Sequence, residues 1–295
     1  MDSDEHGIFD RGLIGRYRGR ALKEARPGAD FLLARLAEDL ADRLSVIQRR
    51  FAIAVDLGGH HGLAAEAMAR SGKADRIIRI EHDARLLRGP FPAVVGDEEA
   101  LPLAPESTDL IVSILSLQSV NDLPGALVQI RRALKPDGLF LGAMAGAGTL
   151  AELRQSLIMA ESEISGGASP RVAPFAEIRD AGALLQRAGF ALPVTDVETL
   201  TVRYDNMFGL MADLRAMGMQ NALVGRSRRP ATRRLFARAG QIYADRFSDA
   251  DGRVRATFSF IWISGWAPAP SQQKPLRRGS AKVSLASLLD KGGPS

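Results

Sequence analysis

The chain has 295 residues, of which 46% are hydrophobic, and a formal net charge of +5 at neutral pH. This length and apolar content allow one large domain with a substantial core, and the absence of cysteine excludes disulfides, a thiol nucleophile, Cys-ligated zinc and iron–sulfur clusters. No run approaches the roughly 20 apolar residues of a membrane-spanning helix, and the acidic start lacks the layout of a targeting signal, so we expect a cytoplasmic bacterial protein.

The first 50 residues are predicted to form a helical cover that precedes the first strand. Leucines recur every four residues from Leu32 to Leu44, which places them on one face of an amphipathic helix. We therefore expect residues 1–50 to cover the domain that follows.

Apolar strands alternate with amphipathic helices from residue 51 onward. Such alternation predicts an α/β fold with a doubly wound, mostly parallel sheet, whose ligand lies at the carboxyl ends of the strands. Two late strands, separated by a helical insertion at about residues 205–250, are able to pair antiparallel at the sheet edge. The predicted strands are 54–56, 76–81, 91–96, 109–115, 139–143, 197–204 and 257–266.

Two helix starts carry capping signals. Asn121 or Asp122, followed by Pro124 in the first turn, predicts the start of the helix after the fourth strand. Thr149 and Glu152 form a T-x-x-E pattern, which predicts a capping box at the start of a later helix.

The loop after the first strand is the most informative segment, and residues 54–62 read Ala-Val-Asp-Leu-Gly-Gly-His-His-Gly. Glycines at a strand end let the backbone turn sharply and approach a ligand closely. The spacing of Gly58, Gly59 and Gly62 is not the G-x-G-x-x-G of a pyrophosphate site, and Asp56 would repel a pyrophosphate. S-adenosyl-L-methionine carries a sulfonium, an ammonium group and no phosphate, so the segment predicts this cofactor.

Further acids follow the next two strands of the predicted sheet. Glu81 ends the second strand, and Asp97 and Glu98 come directly after the third. Ionised carboxylates only accept hydrogen bonds, which matches the donors of a ribose, an ammonium group and an adenine amino group. We expect Asp56 to balance the ammonium, Glu81 to accept both ribose hydroxyls and Asp97 to accept from adenine. Asp109, which begins the fourth strand, has no clear role.

Residues that contact the methyl acceptor are expected after the fourth strand. Gln118 and Asn121 are polar candidates there, each balanced between substrate contact and an ordinary loop or cap role. Arg171 lies in a Gly/Ser/Pro-rich segment, where it is able to grip a carboxylate or phosphate or to form a surface ion pair. Methyl transfer mainly requires that the nucleophile, the methyl carbon and the sulfur are aligned, so no catalytic residue is assigned. His60 and His61 lack a third metal ligand in sequence, and we predict no metal site.

The basic residues concentrate in two places. The tail, residues 268–295, is predicted to be flexible and basic, and six arginines between Arg226 and Arg238 surround a helix start. Such runs are able to meet nucleic acid, but the tail has no interleaved aromatics for base stacking. We therefore favour solvated surfaces, and nucleic-acid binding is not expected.

Six short strings along the chain are similar to those of a known family: Phe9–Arg11, Gly96–Pro102, Val120–Gly125, Ala133–Gly138, Ser169–Val172 and Gln272–Leu276. The general pattern resembles the class I S-adenosylmethionine-dependent methyltransferases. The strings themselves resemble the bacterial relatives of mitochondrial complex I assembly factor 5, which are also similar to the malonyl-carrier-protein methyltransferase of biotin synthesis.

The resemblance implies a seven-stranded Rossmann-like methyltransferase domain over residues 51–267 that binds S-adenosyl-L-methionine. One departure stands in the glycine loop, where His60 replaces the middle glycine of the usual D-x-G-x-G-x-G motif. A side chain there crowds the cofactor, so the affinity is lower or the loop is reshaped.

Three functions remain open from the sequence. The first is methyl transfer to a small molecule, an acyl carrier or a protein acceptor, with a respiratory complex I subunit among the partners that the resemblance implies. The second is protein arginine hydroxylation, which the resemblance also implies and which needs an oxidant. The third is a non-catalytic role as an assembly chaperone that uses the cofactor structurally.

Overall fold

Seven strands and eight helices alternate in the computed structural model, which describes residues 7–272. The predicted tail lies outside the described residues from position 273 onward. The helices are α1 (Arg11–Glu24), α2 (Phe31–Ser45), α3 (Leu63–Ser71), α4 (Leu123–Ala133), α5 (Ala151–Ser165), α6 (Ile178–Arg187), α7 (Met207–Ala216) and α8 (Arg233–Phe247). The strands are β1 (Phe51–Leu57), β2 (Ala74–Glu81), β3 (Ala93–Val95), β4 (Thr108–Ile114), β5 (Leu134–Ala145), β6 (Ala191–Tyr204) and β7 (Val254–Trp266).

The strands form one sheet in the order β3-β2-β1-β4-β5-β7-β6. Pairing is parallel from β3 through β5, whereas β7 runs antiparallel to both β5 and β6. This confirms the predicted doubly wound, mostly parallel α/β sheet with an antiparallel edge. The strand order reverses between β1 and β4, and ligands bind at such a switch point beyond the carboxyl ends of the strands.

The central strands of the sheet are buried on both faces, as their near-continuous apolar sequences predicted. Every residue of β4 is buried, and two apolar clusters pack on opposite sides of the sheet. On one side α2 buries six of its 15 residues, among them Leu36, Leu40 and Leu44. Each fully buried leucine contributes roughly 1.5–3 kcal/mol, so this helix is anchored firmly against α3 and β4.

Helices also cover the carboxyl edge of the sheet. α1 lies beside this edge, and α7 and α8 stand between β6 and β7 in the chain. None of the described helices is long and apolar enough to cross a membrane.

Candidate functional site

The glycine loop folds back over the end of β1. Asp56 is fully buried, and a Cβ added to Gly59 would overlap its carboxylate. A Cβ on Gly58 would overlap the hydroxyl of Ser116, which follows β4. Both Gly58 and Gly62 also have positive φ angles, of 65° and 96°. The loop therefore keeps its shape only with glycine at these positions.

His60 is built into the same loop in the left-handed conformation, with φ 55°. Its backbone N–H donates to Glu81 at 3.0 Å, and its carbonyl accepts from Arg79 at 2.6 Å. Its ring Nε2 lies 3.1 Å from the carbonyl oxygen of Leu115, which can only accept, so Nε2 carries the proton. Burial, reinforced by the charge of Arg18, lowers the pKa of His60 well below its usual value. The ring is therefore neutral, and its hydrogen bond to Leu115 helps to hold the loop in place.

A buried ion pair lies beneath the loop. Arg79 of β2 is 2% exposed, and its Nε is 3.5 Å from Asp56 Oδ2. Its guanidinium also donates to the carbonyls of His60, Leu86 and Arg88. Burial raises the pKa of Asp56 to about 7, although the charge of Arg79 opposes the shift. Neither oxygen of Asp56 accepts a hydrogen bond from the described residues.

Glu81, the predicted ribose acceptor, lies at the carboxyl end of β2. It is 1% exposed and accepts the backbone N–H groups of His60 at 3.0 Å and His82 at 3.1 Å. Burial raises its pKa, while Arg18, whose guanidinium is 4.0 Å away, opposes that shift. Each oxygen keeps a further lone pair for a ribose hydroxyl.

The acids after β3 are held by α1. Arg11 bonds to Asp97 and Glu98 and lies 3.2 Å from Glu99. Glu98 also accepts from the hydroxyl of Ser116. Burial raises the pKa of Asp97, but the N–H of Glu99 and the guanidinium of Arg11 outweigh it and hold that pKa below its usual value. Asp97 is thus ionised, and both Asp97 and Glu98 are already paired with Arg11.

α1 consequently fills much of the predicted cofactor site. The pocket between Arg11, Arg18, Glu81 and Glu98 encloses only about 20 Å³, whereas ligand pockets span roughly 300–1,000 Å³. Three features of this edge fit S-adenosyl-L-methionine: a glycine loop that allows close approach, the buried carboxylate of Asp56, whose oxygens accept no hydrogen bond, and an acid at the predicted ribose position. The two arginines must swing aside, or α1 must shift, before the whole cofactor is seated.

A larger cavity of about 320 Å³ adjoins the glycine loop. It reaches His60, Leu115 and Gln118 at one end and extends between α1, α5, α7, α8 and β7. Its walls are mainly apolar. Contributing side chains include Ile14, Leu32, Leu153, Leu157, Met211, Leu214, Met217, Phe236, Phe258 and Phe260.

The structure places the three candidate acceptor residues differently. Gln118 lines the cavity and donates to the carbonyl of Leu115 at 2.9 Å. Arg171 also lines it, but the guanidinium is bound to the carboxylate of Glu161 through Nε at 3.1 Å and a second nitrogen at 2.6 Å. Asn121 instead binds the backbone of Phe9. Its Oδ1 accepts from the Phe9 N–H at 2.8 Å and its Nδ2 donates to the Phe9 carbonyl at 3.1 Å, so Asn121 holds the segment before α1.

Three arginines of the site did not emerge from the sequence. Arg11 belongs to one of the strings that carry the family resemblance, which was the available signal for it. Arg18 lies on a helix without a clear apolar face, and Arg79 interrupts an apolar strand. A charge inside a buried strand was a usable signal for a paired side chain. No group of three metal-ligating side chains is found within residues 7–272.

Comparisons with known proteins agree with this geometry. Residues 55–142, from β1 to β5, match the methyltransferase domain family. The sheet superposes on a candidate methyltransferase of Bacillus halodurans with a TM-score of 0.55 at 14% identity, covering 79% of this chain and 100% of that one. The YcgJ protein of Bacillus subtilis gives 0.54 at 17% identity, covering 79% and 99%. The domain match and the shared fold together define a protein of the methyltransferase class.

Similarity over the full chain is more specific. The mitochondrial arginine-hydroxylase NDUFAF5 of Homo sapiens is 40% identical over 287 residues, which cover 95% of this chain and 83% of that one. Malonyl-[acyl-carrier protein] O-methyltransferase of Xylella fastidiosa is 31% identical over 273 residues, covering 89% and 90%. Within the methyltransferase class, the chain belongs to the NDUFAF5 family.

Proposed function

We propose that the protein transfers the methyl group of S-adenosyl-L-methionine to an acceptor held in the large cavity. The observation that carries this proposal is the contact between the two sites: the cavity ends at His60 and Leu115, beside the glycine loop that would cradle the cofactor. An acceptor in the cavity and a cofactor on the loop would meet there. The bound cofactor supplies a methyl group already activated on a sulfonium, so alignment is the main requirement.

The cofactor-binding residues in this proposal are the ones at the carboxyl edge of the sheet. Gly58, Gly59 and Gly62 give the backbone its close approach, and Asp56 offers the carboxylate nearest the loop. The acids Glu81, Asp97 and Glu98 would accept from ribose and adenine once α1 releases them. Around the acceptor, the apolar walls exclude water, and Gln118 supplies a polar side chain that donates to the carbonyl of Leu115.

Methyl transfer is tested by S-adenosylhomocysteine formation. Purified protein, cofactor and a malonyl acyl carrier protein should give S-adenosylhomocysteine and an acceptor heavier by one methylene. A Glu81→Gln variant should lose this activity, whereas Glu66→Gln, an exposed acid on α3, should keep it. Absence of cofactor binding in the wild-type protein would overturn the proposal.

A second function is favoured by the 40% identity to the human protein named as an arginine-hydroxylase. In that case an arginine of a partner, such as a respiratory complex I subunit, would gain one oxygen and an oxidant would be consumed. Mass spectrometry of an arginine peptide after incubation separates the two products. Loss of cofactor binding with retained respiratory-complex assembly, in variants of Asp56 and Glu81, would instead indicate a non-catalytic assembly role.

A further inference from the structure

Helix α1 is packed less firmly than the rest of the fold. Among the helices of residues 7–272, it alone has no buried residue. The next helix along the chain, α2, buries six. Elements with few buried apolar contacts open at a lower free energy than the core of a protein. We therefore expect α1 to open more readily than α2.

A short, exposed connection joins α1 to α2. Residues 23–28 are all exposed, and Ala25 and Gly28 have positive φ angles of 44° and 74°. Hinges are formed by a few loop or element-terminal residues that absorb a change in φ and ψ. Because α2 is anchored to the core, a rotation within this connection would swing α1 as one body.

Polar contacts hold the start of α1 against the segment that follows α7. Two backbone hydrogen bonds, of 2.8 and 2.9 Å, join residues 8–10 to residues 222–224. The carboxylate of Asp10 accepts from Arg226 at 3.0 Å, and Asn121 holds the backbone of the same segment through two further hydrogen bonds. Together these contacts form a latch for α1.

The latched helix occupies the acids predicted for the cofactor. Arg11 bonds to Asp97 and Glu98. A guanidinium and the donor groups of a nucleoside compete for the same carboxylate lone pairs. Ile14 and Arg18 line both the small pocket beside these acids and the large cavity. A shift of α1 would therefore open both spaces at once.

Rotation of the arginine side chains alone would not clear the small pocket. Gly15, which has no side chain to move, also lines this pocket of about 20 Å³. The backbone of α1 itself thus borders the space that the cofactor needs. The helix has to move before a ligand of that size is seated.

We propose that α1 is a hinged lid that autoinhibits cofactor binding. Residues 7–24 swing outward about the connection at residues 25–28, the latch breaks, and Arg11 leaves the acids that it covers. The opening of the lid then limits the rate at which the cofactor enters. This inference rests on the proposed methyl transfer and adds the regulation of its cofactor site.

A reversible disulfide across the latch tests the lid, and the absence of native cysteine makes the disulfide selective. Phe9 and Leu223 form an antiparallel pair without mutual backbone hydrogen bonds. The Cα atoms of such a pair are about 4.5 Å apart, which a disulfide spans. Oxidised Phe9→Cys/Leu223→Cys should bind S-adenosyl-L-methionine at least about 10-fold more slowly in stopped-flow measurements than the same protein reduced. Phe9→Cys alone should not respond to the redox state.

Amide hydrogen exchange follows the lid without the cofactor. Peptides of α1 should exchange at least about 10-fold faster than peptides of α2, and oxidation of the double variant should slow the exchange of α1. Asn121→Ala, which removes a side chain from the latch, should speed both the exchange of α1 and cofactor association. Arg20→Ala, at an exposed arginine on α1, should change neither.

The results that would overturn the lid differ from those that would overturn methyl transfer. Equal cofactor association in the oxidised and reduced states would overturn the lid and leave methyl transfer intact. Exchange of α1 as slow as that of α2, and unchanged in Asn121→Ala, would also overturn the lid whether or not the cofactor binds. Binding of the cofactor in neither redox state nor in the wild type would overturn methyl transfer and, with it, the regulation of its site.

Discussion

Removal of the buried guanidinium beneath the glycine loop should destabilise the protein strongly. Arg79→Met leaves the carboxylate of Asp56 without its cation and takes donors from three backbone carbonyls. Breaking a buried ion pair from one side costs about 3–5 kcal/mol. At roughly 2–4 °C for each kcal/mol, the Tm should fall by about 6–20 °C.

Thermal and urea unfolding, followed by circular dichroism, measure this effect. Arg76→Met is the matched control, because Arg76 is an exposed arginine on the same strand. The double variant Asp56→Asn/Arg79→Met should be less destabilised than the sum of the single changes, since the carboxylate left without a cation is then gone. Equal Tm values for Arg79→Met and Arg76→Met, or simple additivity in the double variant, would refute this account of the pair.

Three further predictions concern Asp56, Gly59 and Arg11 at the same edge of the sheet. The pKa of Asp56 is about 7 in the folded protein, above its ordinary 3.8, so the native state binds a proton that the unfolded chain releases. The free energy of unfolding should therefore fall as the pH rises from about 4 to 7, by up to roughly 4 kcal/mol. Urea titrations of Asp56→Asn should show a flatter decline. Gly59→Ala, whose Cβ would overlap that carboxylate, should cost about 1–3 kcal/mol and abolish cofactor binding, whereas Gly15→Ala, with open space around it, should do neither. Arg11→Ala frees the acids that α1 holds, so stopped-flow measurements should show faster cofactor association than in the wild type or Arg20→Ala.

A specific result would contradict each of these three predictions. An unchanged pH dependence in Asp56→Asn would show that this carboxylate does not carry it. Normal cofactor affinity in Gly59→Ala would show that the loop tolerates a side chain. Slower association in Arg11→Ala would mean that α1 assists entry.

The sheet was predictable because each strand is specified by the residues of its own segment. Apolar runs bounded by acids and glycines located β1, β2, β4 and β7, and Asp122 caps α4 through Gly125 as its sequence indicated. The lengths of the strands were less predictable. β6 begins at Ala191, six residues before the predicted start, because its pairing with β7 extends the strand.

One local signal was wrong because distant partners compete for the same side chains. The capping box at Thr149 and Glu152 does not form, and α5 begins at Ala151 without a side-chain cap. Thr149 instead exchanges hydrogen bonds with the backbone of Ser259, and Glu152 accepts from Thr257. β7 supplies these partners from more than 100 residues away.

The same limit applies to the candidate site. The acids at strand ends could be located from the sequence because each belongs to its own strand. The ion pairs that occupy them could not, since Arg11 reaches Asp97 across 86 positions and no periodicity links the two. The proposed acceptor cavity is also long-range, because its walls come from both ends of the chain.

Calorimetric binding of S-adenosyl-L-methionine tests the central claim most directly. The wild-type protein should bind the cofactor with micromolar affinity. Glu81→Gln should weaken it at least about 10- to 100-fold, the loss expected for hydrogen bonds to a charged acceptor, while Glu66→Gln should bind normally. Undetectable binding by the wild type, or equal affinity in Glu81→Gln, would contradict a cofactor site at this edge of the sheet.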